Sequence, residues 1–148
     1  MSIVSRWRRR RFLQASLGSA AAAFGQSQPR TAVLKSVVKD TEKIPWEQIV
    51  EEKVHHTFSL KNLVRDPDTG MEISIVRYPA GFVLPLHTHP CAHGMFVLNG
   101  ILVTNEGRYG PSSFVWFPEG LRMEHGASAE QDVTVLFVTN KVFGIQYV

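Results

Sequence analysis

Gly81-Phe82-Val83-Leu84-Pro85-Leu86-His87-Thr88-His89-Pro90-Cys91-Ala92-His93-Gly94-Met95-Phe96-Val97-Leu98-Asn99-Gly100 places three of the chain's six histidines within seven residues. Short apolar runs flank them, and the stretch closes on Asn99-Gly100. On a β-strand, successive side chains point to opposite faces, so His87 and His89 share one face. Neutral imidazole is the commonest protein ligand for divalent transition metals. If that shared face is an interior, both rings reach one point. Pro90 then bends the chain, and His93 enters the following strand. The alternative for His87 and His89 is two polar residues on a solvated edge strand.

Outward from this stretch the chain reads as short strands with Gly and Pro punctuation. Residues 72–78 have mostly alternating polarity, and Pro79-Ala80-Gly81 turns the chain. Residues 82–89 are extended. Residues 95–98 and 101–105 flank Asn99-Gly100, a strong signal for a two-residue hairpin. Residues 114–117 form a strand closed by Pro118-Glu119-Gly120. Residues 121–125, 133–139 and 142–148 complete the set. Upstream, residues 33–39 and 54–60 read as edge strands and residues 45–52 as one or two helical turns, with a Pro-Asp-x-Gly turn at residues 67–70. Strands at this spacing, with no long helix, indicate an all-β sandwich or barrel.

A strand entering His125 puts Leu121, Met123 and His125 on one face and Arg122 and Glu124 on the other. One histidine on an apolar face beside exterior charges suits a buried ligand position; the alternative is a surface histidine beside Glu124. His55 and His56 are adjacent, so at most one could join a common site, and both read as ordinary strand residues. Met95, Val97, Phe114, Trp116 and Met123 are expected in the core or a pocket wall. Arg77, Arg108 and Arg122 could hold an anion, but each reads as solvated. Cys91 is the only cysteine, so an intramolecular disulfide and a cysteine-based zinc knuckle are excluded. A small buried residue is its simplest reading.

The 148 residues suffice for one domain, and the formal charge is +3. Arg6, Arg8, Arg9, Arg10 and Arg11 account for five of 16 basic residues. Setting them aside leaves 11 basic against 13 acidic residues. A nucleic-acid surface is therefore not expected. Residues 1–25 combine the arginines with a short alanine-rich run, about half the length that spans a bilayer. Arg9-Arg10-x-Phe12-Leu13 resembles the twin-arginine export signal of bacteria, with Ala21-x-Ala23 or Ala23-x-Gly25 as cleavage site. The resemblance implies a protein exported already folded, its metal acquired inside, that works in the periplasm or another extracytoplasmic space. The other reading is a basic amphipathic helix on a membrane surface. Membrane contact is expected only through this segment if it stays uncleaved. Residues 26–45 read as linker and N-terminal extension, and residues 46–148 as the barrel.

Gly81-x5-His87-x-His89-x3-His93-x6-Gly100 resembles the first motif of the cupin superfamily, with histidine where that motif has glutamate at position 93. Gly110, Pro118, Gly120 and His125 resemble the second motif with altered spacing. The segments around residues 71–81, 93–100 and 114–120 further resemble one branch. It holds the sensor domains of zinc-dependent anti-sigma factors and small dioxygenases acting on hydroxy or diketone compounds. The resemblance implies a single-domain jelly-roll barrel, or double-stranded β-helix, in which His87, His89 and His125 ligate a metal. His93 occupies the fourth-ligand position, as a ligand or as a hydrogen-bond partner of one. An all-imidazole set leaves a divalent ion its full charge, which favours an anionic further ligand. Iron(II) is expected first; zinc or manganese also suits such donors.

Three functions compete. One is an exported metal-dependent dioxygenase acting on a small enolisable or phenolic compound. The second is a non-catalytic metal-binding or sensing module. The third, a sugar isomerase or lyase, ranks last because those cupins keep the glutamate. The expected partner is a small molecule, with a homodimer through edge strands also possible.

Overall fold

The computed structural model describes residues 35–148, so the arginine-rich segment with its export-signal reading and residues 26–34 of the linker lie outside it. Eleven strands and no helix are present among the described residues. They are β1 (Glu47–Glu51), β2 (His56–Arg65), β3 (Glu72–Tyr78), β4 (Val83–Thr88), β5 (His93–Asn99) and β6 (Leu102–Thr104). The remainder are β7 (Gly107–Tyr109), β8 (Phe114–Phe117), β9 (Met123–Ala127), β10 (Val133–Thr139) and β11 (Gln146–Tyr147). Two antiparallel sheets result, one ordered β1-β2-β3-β10-β5-β8 and the other β11-β4-β9-β6-β7. The expected all-β, single-domain cupin jelly roll is the architecture observed.

Alternation of side chains builds the interior. On β10, Val133, Val135, Phe137 and Thr139 are buried, while Thr134, Leu136 and Val138 are only half-buried. On β3, Ser74, Val76 and Tyr78 face inward, and Arg77 lies outside over the Trp46 ring. Met95, Val97, Leu102 and Met123 have no exposed surface and join the core cluster. Each such side chain removed from water contributes about 1.5–3 kcal/mol.

Five expectations are corrected. Asn99-Gly100 is not a hairpin: β5 pairs with β8 and β10, whereas β6 pairs with β7 and β9 in the other sheet. The chain switches sheets there. Gly100 has φ +82°, and a Cβ on it would overlap the carbonyl oxygen of Asp132. Glycine thus serves a corner against a neighbouring backbone. Residues 45–52 are not helical turns; β1 occupies Glu47–Glu51 and pairs with β2. That pairing takes β2 off the edge, and residues 35–39 form no strand. Finally, Phe114 and Trp116 are 59% and 51% exposed, outside the core. On β8 the inward positions fall to Val115 and Phe117, leaving the two rings on the outer face over Gly94.

Candidate metal centre

β4 carries a register shift that decides the site. Its pairing with β9 slips between Leu84 and His87. Strict alternation would send Leu84 and His87 to opposite faces, yet both are buried. A bulge over Pro85 and Leu86 supplies the extra residue. Proline suits this position because it has no N–H to give a ladder. The Pro85 carbonyl instead lies 2.6 Å from Nδ1 of His87. Phe82 and Leu84 can therefore face the core upstream while His87 faces it downstream.

His89 follows β4, beyond the end of the strand. Its Nδ1 lies 2.5 Å from the carbonyl oxygen of Gly144, and its own carbonyl accepts from the Gly120 amide. His125 sits on β9, between β4 and β6, opposite Leu84 and Thr104. The close approach of β9 to β4 is possible because residue 126 is glycine: a Cβ there would overlap the Phe82 carbonyl oxygen. His93 opens β5 on the opposite sheet and stacks on Phe117 with ring centroids 4.8 Å apart.

All four imidazoles are buried, none more than 2% exposed. His87, His89 and His125 each offer one nitrogen, and these nitrogens lie within 4.8 Å of one another. The three form a set that could hold a metal ion. His93 stands beside it, its ring centroid 4.7 Å from that of His89 and 6.0 Å from that of His125. His55 and His56 are exposed, and His56 meets only the edge of Phe82. Arg77 and Arg122 are exposed and Arg108 pairs with Glu130, as expected of solvated residues.

The donor set fits a cation on its own chemistry. A carbonyl only accepts, so Nδ1 of His87 and of His89 must each carry its ring's hydrogen. A neutral ring then has a bare Nε2, and these two atoms lie 3.0 Å apart. Two lone pairs facing each other repel unless a positive charge sits between them. Protonation is opposed by burial, which lowers all four histidines: His89 to about 4, His93 to about 3, His125 well below the ordinary value, and His87 in the same direction. Repulsion from neighbouring rings adds to this for His89, His93 and His125. Both ring nitrogens of His93 and of His125 lack a hydrogen-bond partner among the described residues. A buried polar atom left unpaired costs about 1–3 kcal/mol, and coordination would remove that cost for the one nitrogen of a ring that binds the ion.

A cavity of about 80 Å³ adjoins His125. It is bounded by the inner face of β2 and β3 and by the C-terminal segment through Phe143 and Ile145. The sequence did not single out Glu72, Ser74 or Tyr78, which also line it. Only the inward alternation of Ser74 and Tyr78 on residues 72–78 hinted at it.

Two sheets closing around histidines drawn from both define a cupin. The chain belongs to the family described as the ChrR cupin-like domain, which matches residues 34–143. No curated protein matches it. Among solved structures it is similar to a Ralstonia eutropha protein of unknown function with a cupin-like fold. That match has 19% identity, 78% of this chain and 80% of the other, and a TM-score of 0.64. It is also similar to a candidate dioxygenase from Nostoc punctiforme, with 20% identity, 74% of this chain, 41% of the other and a TM-score of 0.67. A chain in the Rhodobacter sphaeroides complex of SigE with the anti-sigma ChrR matches at 18% identity. It covers 68% of this chain and 52% of the other, with a TM-score of 0.55. These likenesses show the fold.

Proposed function

We propose that this protein binds one divalent transition ion through His87, His89 and His125, iron(II) ahead of zinc or manganese, with His93 completing the set. In this reading it acts as a dioxygenase-like oxidoreductase on a small enolisable or phenolic compound. The observation that carries it is the pair of bare Nε2 atoms of His87 and His89, 3.0 Å apart with each Nδ1 held by a carbonyl. A bound ion would supply Lewis acidity and, as iron(II), reactivity toward dioxygen. The chain's own groups do the rest. The Pro85 and Gly144 carbonyls fix the tautomers and aim of two donors. Phe117, Phe137 and Phe143 pack against His93 and His89 and keep water from the rings. The cavity beside His125 gives a small molecule access. The arginine pair at residues 9 and 10 supports export by the twin-arginine route, with function in the periplasm.

A second reading is favoured by the depth of the four imidazoles: four buried nitrogens suit a closed, regulatory zinc site. The likeness to the ChrR complex supports it. Metal analysis of protein purified without added metal, followed by oxygen-uptake assays with diketones and catechols, separates the two. Iron or manganese with substrate-dependent oxygen uptake supports the oxidoreductase. Stoichiometric zinc with no exchangeable coordination position eliminates it in favour of the sensing module.

A further inference from the structure

Two features of the cavity beside His125 bear on what it can hold. Its wall is apolar, formed by Leu60, Val76, Leu84, Phe137, Phe143 and Ile145. Its polar groups are Glu72, Ser74, Tyr78 and His125, and among the described residues no lysine or arginine lines it. The Glu72 carboxylate pairs with Arg65, which is itself 66% exposed, so solvent shares that partner. A dry apolar cavity of about 150 Å³ holds a benzene ring. The volume here is about 80 Å³, room for roughly three or four aliphatic heavy atoms and well under the cavity that a benzene ring fills.

Resting on the reading that His125 and its neighbours hold a metal ion, we propose that the cavity takes a molecule with one metal-chelating head and a short, uncharged aliphatic tail. Leu60 and the facing aromatic side chains exclude rings, and Glu72 excludes tails that end in an anion. The head and the tail meet different electrostatics. A charged head is compensated by the ion. A carboxylate at the tail would be buried beside Glu72 with no cation lining the cavity, a costly arrangement. This narrows the substrate to the aliphatic side of the enolisable or phenolic choice.

Cobalt(II)-loaded protein provides the test, because bound chelators change the visible spectrum of cobalt whether or not any reaction follows. Three hydroxamates share one head and differ in the tail: propanohydroxamic acid, benzohydroxamic acid and succinic monohydroxamic acid. The expected result is that the first binds at least tenfold more tightly than the other two. Leu60→Ala should recover benzohydroxamate binding by about tenfold, and Glu72→Gln should do the same for the succinate derivative. Benzohydroxamate or the succinate derivative binding unmodified protein within threefold of the propano compound overturns the proposal, and this comparison needs no variant to fold. Failure to take up cobalt at all overturns the metal reading, and the proposal with it. Cobalt uptake without discrimination overturns the proposal alone.

Discussion

The carbonyl oxygen of Gly144 accepts a hydrogen bond from Nδ1 of His89 at 2.5 Å, joining residues 55 positions apart. The C-terminal segment therefore sets the tautomer of a candidate ligand. It also reaches the β4 edge through β11 and lines the cavity through Phe143 and Ile145. Truncation after Asn140 should leave the main sheets folded and weaken metal binding about 10–100-fold, the usual cost of losing a partner that orients a ligand. Competition against a chromophoric chelator, with a urea titration to check folding, measures this. Unchanged affinity would show that Gly144 does not matter to the site.

Metal and stability should separate in His125→Leu. The buried ring nitrogens of His125 lack hydrogen-bond partners among the described residues, so the metal-free variant should be at least as stable as metal-free wild type. A thousandfold excess of metal over Kd stabilises wild type by about 4 kcal/mol, roughly 10–20 °C in Tm for a barrel of this size. The variant should show none of that shift. Thermal melts with and without metal decide it, and a retained shift would remove His125 from the ligand set.

Stability of the metal-free protein should fall as the pH drops below about 6.5. Folded His89 titrates near 4 and His93 near 3, both lowered chiefly by burial. Unfolded histidine titrates near 6.5. Between those values the unfolded chain binds more protons than the folded one, so stability rises with pH there. The contribution is complete above about 6.5. It is lost progressively down to about 4 for His89 and 3 for His93, at about 1.4 kcal/mol per pH unit for each histidine involved. Urea midpoints at pH 7, 6 and 5 test the slope. Metal affinity should fall in the same direction, because protons compete for the same nitrogens.

Two glycines with similar φ should respond differently to alanine. Gly100 has φ +82° and would drive a Cβ into the Asp132 carbonyl; Gly81 has φ +76° with nothing within 4 Å. Gly81→Ala should cost about 1 kcal/mol from backbone strain alone, and Gly100→Ala upwards of about 3 kcal/mol because a backbone must also move. Equal shifts in urea midpoint at constant m would refute the corner at Gly100.

The histidine spacing, most of the strand segments from residue 72 onward and the alternation around residue 125 were legible locally; β7 was not, and of residues 142–148 only Gln146–Tyr147 is strand. Each legible feature depends on which side of a strand a residue takes, and that is set within a few residues. The bulge at Pro85 and Leu86 was not legible, although without it Leu84 and His87 could not both be buried. Asn99-Gly100 carried a strong turn signal, but a sheet switch and a hairpin both need glycine there. Only the pairing of β5 with both β8 and β10 tells them apart. Phe114 and Trp116 looked like core because they are large and apolar, yet strand phase placed them outside.

By itself the sequence determined that this chain makes β-strands and that His87, His89, His93 and His125 are suited to a metal. Residue chemistry and side-chain alternation are local properties. Only the tertiary structure decided that three of these rings present nitrogens to one point, that the C-terminal segment holds His89 in place, and that a small, largely apolar cavity adjoins His125. Those outcomes depend on which strands compete successfully to bury one another's apolar faces, and that competition is settled between residues far apart along the chain.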